Sequence, residues 1–132
     1  SFYNSNIKFQ AYHAMLEIAK DNLINGCNVV LDGYFGDKLN VSFIKELIDD
    51  LSKQFHVIKV YFRCSKKTLF HRMKNRNLLR DLDKLKNFDS YYDRYKNDDL
   101  LRFDIIFDTD GDSSVNVDSL SHEIMNKIYG AK

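Results

Sequence analysis

The chain reads as an α/β domain of three layers, α/β/α, built around a mostly parallel sheet, and three observations predict it. Segments with helical periodicity alternate with short apolar runs along most of its 132 residues. Two of those runs, Cys27 to Asp32 and Asp104 to Asp108, end in a carboxylate and pass directly into a turn. A third, His56 to Arg63, is rich in β-branched and aromatic residues, the composition that suits a half-buried pleated surface. Strands separated by helices pair in parallel through right-handed crossovers, and the carboxyl ends of such strands are where open sheets place their ligands.

The elements follow in order. From about Ser5 to Asn25, Ile7, Ala11, Met15, Ile18 and Ala19 recur at helical spacing, and Gly26 stands where a C-terminal cap belongs. That helix feeds the run ending at Asp32, which reads as a buried parallel strand. Between Asp37 and Lys53, Leu39, Phe43, Ile44, Leu47, Ile48 and Leu51 form an apolar stripe flanked by charges, the signature of a surface helix packed on a sheet. The strand from His56 to Arg63 is followed by Ser65, a good N-cap, and by a helix carrying Leu69, Phe70 and Met73. After the strand Asp104 to Asp108, the turn Thr109-Asp110-Gly111-Asp112 leads to a last helix marked by Leu120, Ile124 and Ile128.

Composition narrows the function classes. The length is that of a single domain spanning 1–132, and 44% hydrophobic residues supply a core. Twenty Lys and Arg against 19 Asp and Glu leave a net charge of +1, so the chain as a whole offers no field for nucleic acid or an anionic membrane. No apolar run approaches the roughly 20 residues that span a bilayer, and no basic-then-apolar leader precedes the first helix, so a soluble cytoplasmic protein is expected. Cys27 and Cys64 each border an expected strand without metal-pair spacing and read as reduced packing thiols. The first residue is Ser rather than Met, which suggests that residues upstream have been removed.

The chemistry concentrates in two places. Asp32 would face a crevice at its strand end, beside the turn Gly33-Tyr34-Phe35-Gly36, although a turn-capping role also fits it. Arg72, Arg76 and Arg80 are spaced four apart, so on a continuous helix they project along one side. Planar guanidiniums in a row suit phosphate oxygens, but the same spacing suits a solvated face whose arginines pair with Asp81, Asp83 or Asp89. Phe88 to Tyr95, polar and aromatic without a clean core stripe, suit a mobile flap better than a buried helix. Within it, Tyr91, Tyr92 and Tyr95 near Arg94 and Lys96 have the make-up of a base-stacking patch, though amphipathic packing explains them more simply, and no nucleic-acid partner is expected. The four histidines are scattered and suggest neither a nucleophile nor a ligand set.

In order and spacing, the helix ending at Gly26, the run Val29 to Gly33, the strand Val57 to Phe62, the arginine-bearing helix from Leu69 to Arg80 and the run Asp104 to Asp110 resemble small P-loop kinases. The likeness is closest to the group of zeta-toxin-type, adenylylsulfate-kinase-like and polynucleotide kinases, and it covers the chain from about Tyr12 onward. The resemblance implies a P-loop NTPase-like fold and an ATP-dependent phosphotransferase using ATP and magnesium (Mg2+). The acceptor would be a small metabolite, nucleoside or nucleotide. It implies Asp32, Arg72 and Arg76 as catalytic residues: Asp32 orients magnesium through water or takes the acceptor's proton, and the arginines close over phosphates. It implies Arg80, Thr109, Asp110 and Gly111 toward the nucleotide, Tyr34, Phe35 and Asp37 toward the acceptor, and Asp32 and the arginine row facing each other across one cleft.

One departure is large. Such kinases begin with a strand and a loop G-x-x-x-x-G-K-[ST] whose backbone N–H groups cradle phosphates. None of the five glycines here is followed by Lys. The expectation is therefore a C-terminal portion lacking the first strand and P-loop, inactive alone, with a missing N-terminal segment or a second chain completing the sheet. The alternative is a catalytically inactive nucleotide-binding or protein-interaction module on the same fold.

Overall fold

The computed structural model describes residues 7–33, 35, 42–95, 100–111 and 113–130. Over these residues the chain is mixed α/β and mostly helical, and it divides into two compact units, Ser1–Val57 and Ile58–Lys132.

In the first unit, α1 (Lys8–Ile24) and α2 (Ser42–Gln54) pack on each other. The C-terminus of α1 forms as its sequence directs. Gly26 takes φ 82°, a left-handed conformation that costs glycine nothing. Its N–H donates to the Leu23 carbonyl at 3.0 Å, and the Cys27 N–H donates to the Asn22 carbonyl at 3.0 Å. This pair of bonds satisfies two orphan carbonyls and turns the chain back. The core is Leu16, Ile44 and Leu51, with Phe9, Tyr12 and Leu31 against it. Ile44 is fully buried, which is worth about 1.5–3 kcal/mol relative to exposure.

The run Cys27 to Asp32 corrects the sequence reading. It forms no helix and pairs with no strand among the described residues. Val29 and Leu31 are half-buried, while Cys27, Asn28 and Asp32 are exposed and Val30 is 93% exposed. Cys27 is thus a surface thiol, not a packing one. The alternation is that of a strand lying on a helix, but a ladder requires a neighbour that no local pattern supplies.

In the second unit, β1 (Val60–Arg63) and β2 (Ile105–Asp108) pair in parallel with Val60 opposite Ile105 and Arg63 opposite Asp108. Among the described residues the sheet has two strands where three were expected, and β1 starts four residues after His56. Asp104 starts the ladder: its N–H donates to the Lys59 carbonyl at 2.8 Å, and its carboxylate accepts the Lys59 N–H at 2.7 Å. Ile105, 1% exposed, is buried beneath the sheet, and α6 (Ser113–Tyr129) lies beside β2.

After β1, Ser65 caps α3 (Lys66–Arg76) by accepting the Thr68 N–H at 3.2 Å. The helix stops at Asn77, which takes φ 48° in the left-handed region. A 3-10 turn (Leu79–Asp81), α4 (Leu82–Lys86) and α5 (Phe88–Tyr95) follow. This corrects one expectation. The arginine row is not one helical face, because the chain reverses hand at Asn77 before Arg80. Within residues 78–95, Phe88 is buried, with its ring 5.0 Å from Phe70 and flanked by Tyr91 and Tyr92. Their apolar residues come from three short elements, so no single helical period reveals them.

Candidate functional site

The richest convergence of polar groups lies at the carboxyl edge of the two parallel strands. Parallel pairing sets Arg63 beside Asp108, so the residues leaving both strands emerge together. Thr109 continues the ladder, its N–H donating to the Arg63 carbonyl at 2.8 Å and its hydroxyl at 3.0 Å. Asp110 then turns toward α3, where its carboxylate accepts the Ser65 N–H at 2.7 Å. Its own N–H donates to Asp108 Oδ1 at 2.9 Å. Gly111, at φ 130°, provides a backbone turn that a side chain would strain.

Arg72 reaches this edge from the second turn of α3. Its NH1 donates to the Thr109 hydroxyl at 2.8 Å and its NH2 to the Thr109 carbonyl at 2.6 Å. Both partners are neutral. Among the described residues Arg72 makes no ion pair, so an exposed, oriented guanidinium keeps its positive charge at the sheet edge. One edge of the fork is used within the protein, which leaves the flat face and the Nε side for a ligand.

The electrostatics around it are ordered by Asp110. The Thr68 hydroxyl holds its carboxyl below the usual carboxylate range, helped by the Ser65 N–H and the Arg72 charge against the opposing effect of burial. Asp110 thus supplies the negative charge that the N-terminus of α3 favours, and the remaining affinity for an anion at this edge rests on Arg72. Cys64 lies in the same corner; burial pushes its thiol up, while the Arg72 charge pulls the other way. Its raised value makes it a poor thiolate source.

Arg76 points elsewhere. Its Nε and NH2 donate to Asp81 Oδ2 at 2.9 and 2.6 Å, and Asp81 is 1% exposed. Burial pushes the Asp81 carboxyl up, but the Arg76 hydrogen bonds and charge, with Lys84 Nζ 3.6 Å from Oδ1, outweigh it and hold the carboxyl low. Arg80 is exposed in the 3-10 turn and contributes its charge to Asp81.

Of the residues singled out from sequence, Arg72, Thr109, Asp110 and Gly111 come together here. Arg76 and Arg80 gather at Asp81 instead. Asp32 belongs to the first unit, exposed and without a hydrogen bond or ion pair among the described residues. Phe35 packs in the first unit with its ring 5.1 Å from Tyr12. Tyr34 and Asp37 lie outside the described residues. Sequence reasoning missed Thr68 and the second role of Ser65, which hold Asp110 from far along the chain, Ser65 being 45 positions away, a separation that no local pattern links.

Tyr91 and Tyr92 have local cations: Lys84 lies 5.5 Å from the Tyr91 ring and Lys66 5.8 Å from that of Tyr92, with Lys66 also paired to Asp89. The described residues contain no group of three metal-ligating side chains and no helix long and apolar enough to cross a membrane. Comparison with protein-family models, curated proteins and solved structures finds no match to this chain.

Proposed function

We propose that this chain is the C-terminal portion of an ATP-dependent phosphotransferase of the small P-loop kinase type, acting in the cytoplasm on a hydroxyl or phosphate of a small metabolite, nucleoside or nucleotide. A strand and phosphate loop supplied from outside these residues would complete a three-layer sheet. The observation that carries the reading is Arg72: a guanidinium whose hydrogen bonds go to the neutral oxygens of Thr109, beside Asp110 at the carboxyl edge of parallel strands, where such sheets bind ligands. A group so held acts as a preorganised anchor for a nucleotide rather than as an arm that sweeps in.

Thr109, Asp110 and Gly111 would lie against the nucleotide, and residues 78–99 would cover it. Arg76 would reach a phosphate only by exchanging Asp81 for it. The acidic role of Asp32 and the acceptor contacts of Tyr34, Phe35 and Asp37 belong to the same proposal. With no three-ligand cluster among the described residues, magnesium would be held chiefly by nucleotide phosphates and water, Asp32 acting through water. The ion would supply charge neutralisation at the phosphates; this chain's residues orient and exclude water.

The second reading, a nucleotide-binding or protein-interaction module without catalysis, is favoured by the engagement of Arg76 with Asp81. Thermal shift with ATP and magnesium, paired with a phosphotransfer assay on the longest natural polypeptide, separates the two. Ligand at a hundred times its Kd stabilises by about 2.7 kcal/mol. The proposal expects such a shift, its loss in Arg72→Ala, and turnover; a shift without turnover supports the module. No shift with any nucleotide overturns both nucleotide readings.

A further inference from the structure

Between Lys74 and Lys86 the chain interleaves leucines with cations. Lys74, Arg76, Arg80, Lys84 and Lys86 stand against Asp81 and Asp83, so this stretch alone carries +3 in a chain whose net charge is +1. Asp81 is 1% exposed and bound by Arg76, which leaves Asp83 as the carboxylate that the stretch presents to solvent. The molecule as a whole is balanced, but its surface here is cationic.

Backbone geometry gathers the leucines. The Leu82 N–H donates to the Leu79 carbonyl, closing a 3-10 turn in which residues three apart eclipse, so Leu79 and Leu82 stand on one side of it. Leu79 is 86% exposed, and Leu82 and Leu78 are exposed beside it. Lys86 follows Leu82 by four residues in α4 and lies on the same side. Its pairing with Asp83, at 3.3 Å, is open to solvent at both ends, so an anionic surface competes with it. Asp81 is turned the other way, onto Arg76 of α3. That ion pair holds the turn from beneath, and the Leu79 side chain is not needed for the hold.

We propose that this turn docks on an anionic lipid bilayer, with Leu79 and Leu82 entering the acyl boundary while Arg80 and Lys86 meet the headgroups. Charge complementarity selects an anionic surface, to which clustered Lys and Arg are drawn. Shape selects a bilayer over a peptide, because a groove is what holds a peptide, whereas Leu79 protrudes and a fluid bilayer closes around a convex tip. A single-stranded nucleic acid would meet the same cations, but its bases stack on aromatic rings and this tip carries leucines. The attachment is peripheral: among the described residues no helix is long and apolar enough to cross a membrane. One short apolar tip with a basic stretch gives a weak, reversible association. The inference rests on local charge and exposure, not on phosphotransfer.

The chain has no tryptophan, so Leu79→Trp sets a single fluorescent reporter at the tip, and Val30→Trp sets a control at a position 93% exposed in the first unit. Vesicles of phosphatidylcholine alone leave both emission spectra in place. With phosphatidylserine at about 30% of the lipid, the emission of Leu79→Trp moves to the blue and that of Val30→Trp does not. In co-sedimentation with the anionic vesicles, Leu79→Gln lowers the partition coefficient about tenfold and Arg80→Gln and Lys86→Gln about fivefold each. Added salt releases the chain. No binding to anionic vesicles overturns the proposal, as does equal binding to phosphatidylcholine alone. An equal blue shift at both reporters overturns it too, since it means adsorption without orientation. So does a single-stranded oligonucleotide or polyglutamate that binds more tightly than the vesicles and is indifferent to Leu79→Gln, which would assign the cations to nucleic acid or to an acidic protein.

Discussion

Arg72 and Arg76 sit one turn apart on the same helix yet have opposite environments. Arg72 meets two neutral oxygens of Thr109 and keeps its charge, whereas Arg76 meets a buried carboxylate and loses most of its long-range effect. At this scale Arg72→Ala is expected to abolish nucleotide-dependent stabilisation with little change in the unliganded melting temperature, since the side chain is exposed. Arg72→Lys should restore only part, because a point charge cannot reproduce the double contact with Thr109. Thermal shift measures both. The two depressed carboxyls give a pH prediction. Asp81 and Asp110 titrate lower in the folded chain than the ordinary value near about 3.9, so their contribution is fully present above that pH and is lost as pH falls through the folded values. Urea midpoints should therefore fall as the solution is taken from pH 6 toward pH 3. Asp110→Asn, which keeps an acceptor for Ser65, should flatten that fall; an unchanged slope would remove Asp110 from the account.

Among the elements, the joint at Asn77 decides most. A left-handed residue ends α3 there and sends Leu78 to Asp81 in a new direction, which brings Asp81 back onto Arg76. Asn tolerates this conformation and glycine tolerates it freely, whereas a β-branched residue pays roughly 1–2 kcal/mol. Asn77→Gly should thus be nearly neutral and Asn77→Val destabilising by about that amount in urea unfolding. The helices that follow are held by Phe88. Phe88→Ala removes a buried ring packed edge-to-face against Phe70 and should cost about 3–5 kcal/mol. A cost below about 1 kcal/mol would mean that residues 78–95 behave as the loose flap their polarity suggests.

For the whole molecule, charge balance sets solution behaviour more than fold. With a net charge of +1 and an isoelectric point near 7.7, repulsion between copies is weakest just above neutrality. The exposed Val30 and Leu79, 93% and 86% accessible, add apolar attraction. Solubility measured by polyethylene glycol precipitation should pass through a minimum near pH 7.7 and rise toward pH 6 as the four histidines gain charge.

What the residues by themselves determined is local. The helix over Lys8–Ile24 with its Gly26 stop, the apolar stripe of Ser42–Gln54, the Ser65 cap and the runs that became β1 and β2 are written in periods of 3.6 and 2 and in cap chemistry, which need only neighbours along the chain. The placement of Thr109 to Gly111 at a strand end was legible for the same reason. Tertiary structure alone decided which runs became ladders and which arginine met a carboxylate. Cys27 to Asp32 has the composition of a buried strand, but hydrogen bonds between strands join residues far apart, and no described residue pairs with it. Arg76 and Arg72 have equal claims on a phosphate by spacing; a left-handed residue at 77 gave Arg76 a carboxylate, and the pairing of β1 with β2 brought the neutral oxygens of Thr109, 37 positions away, to Arg72.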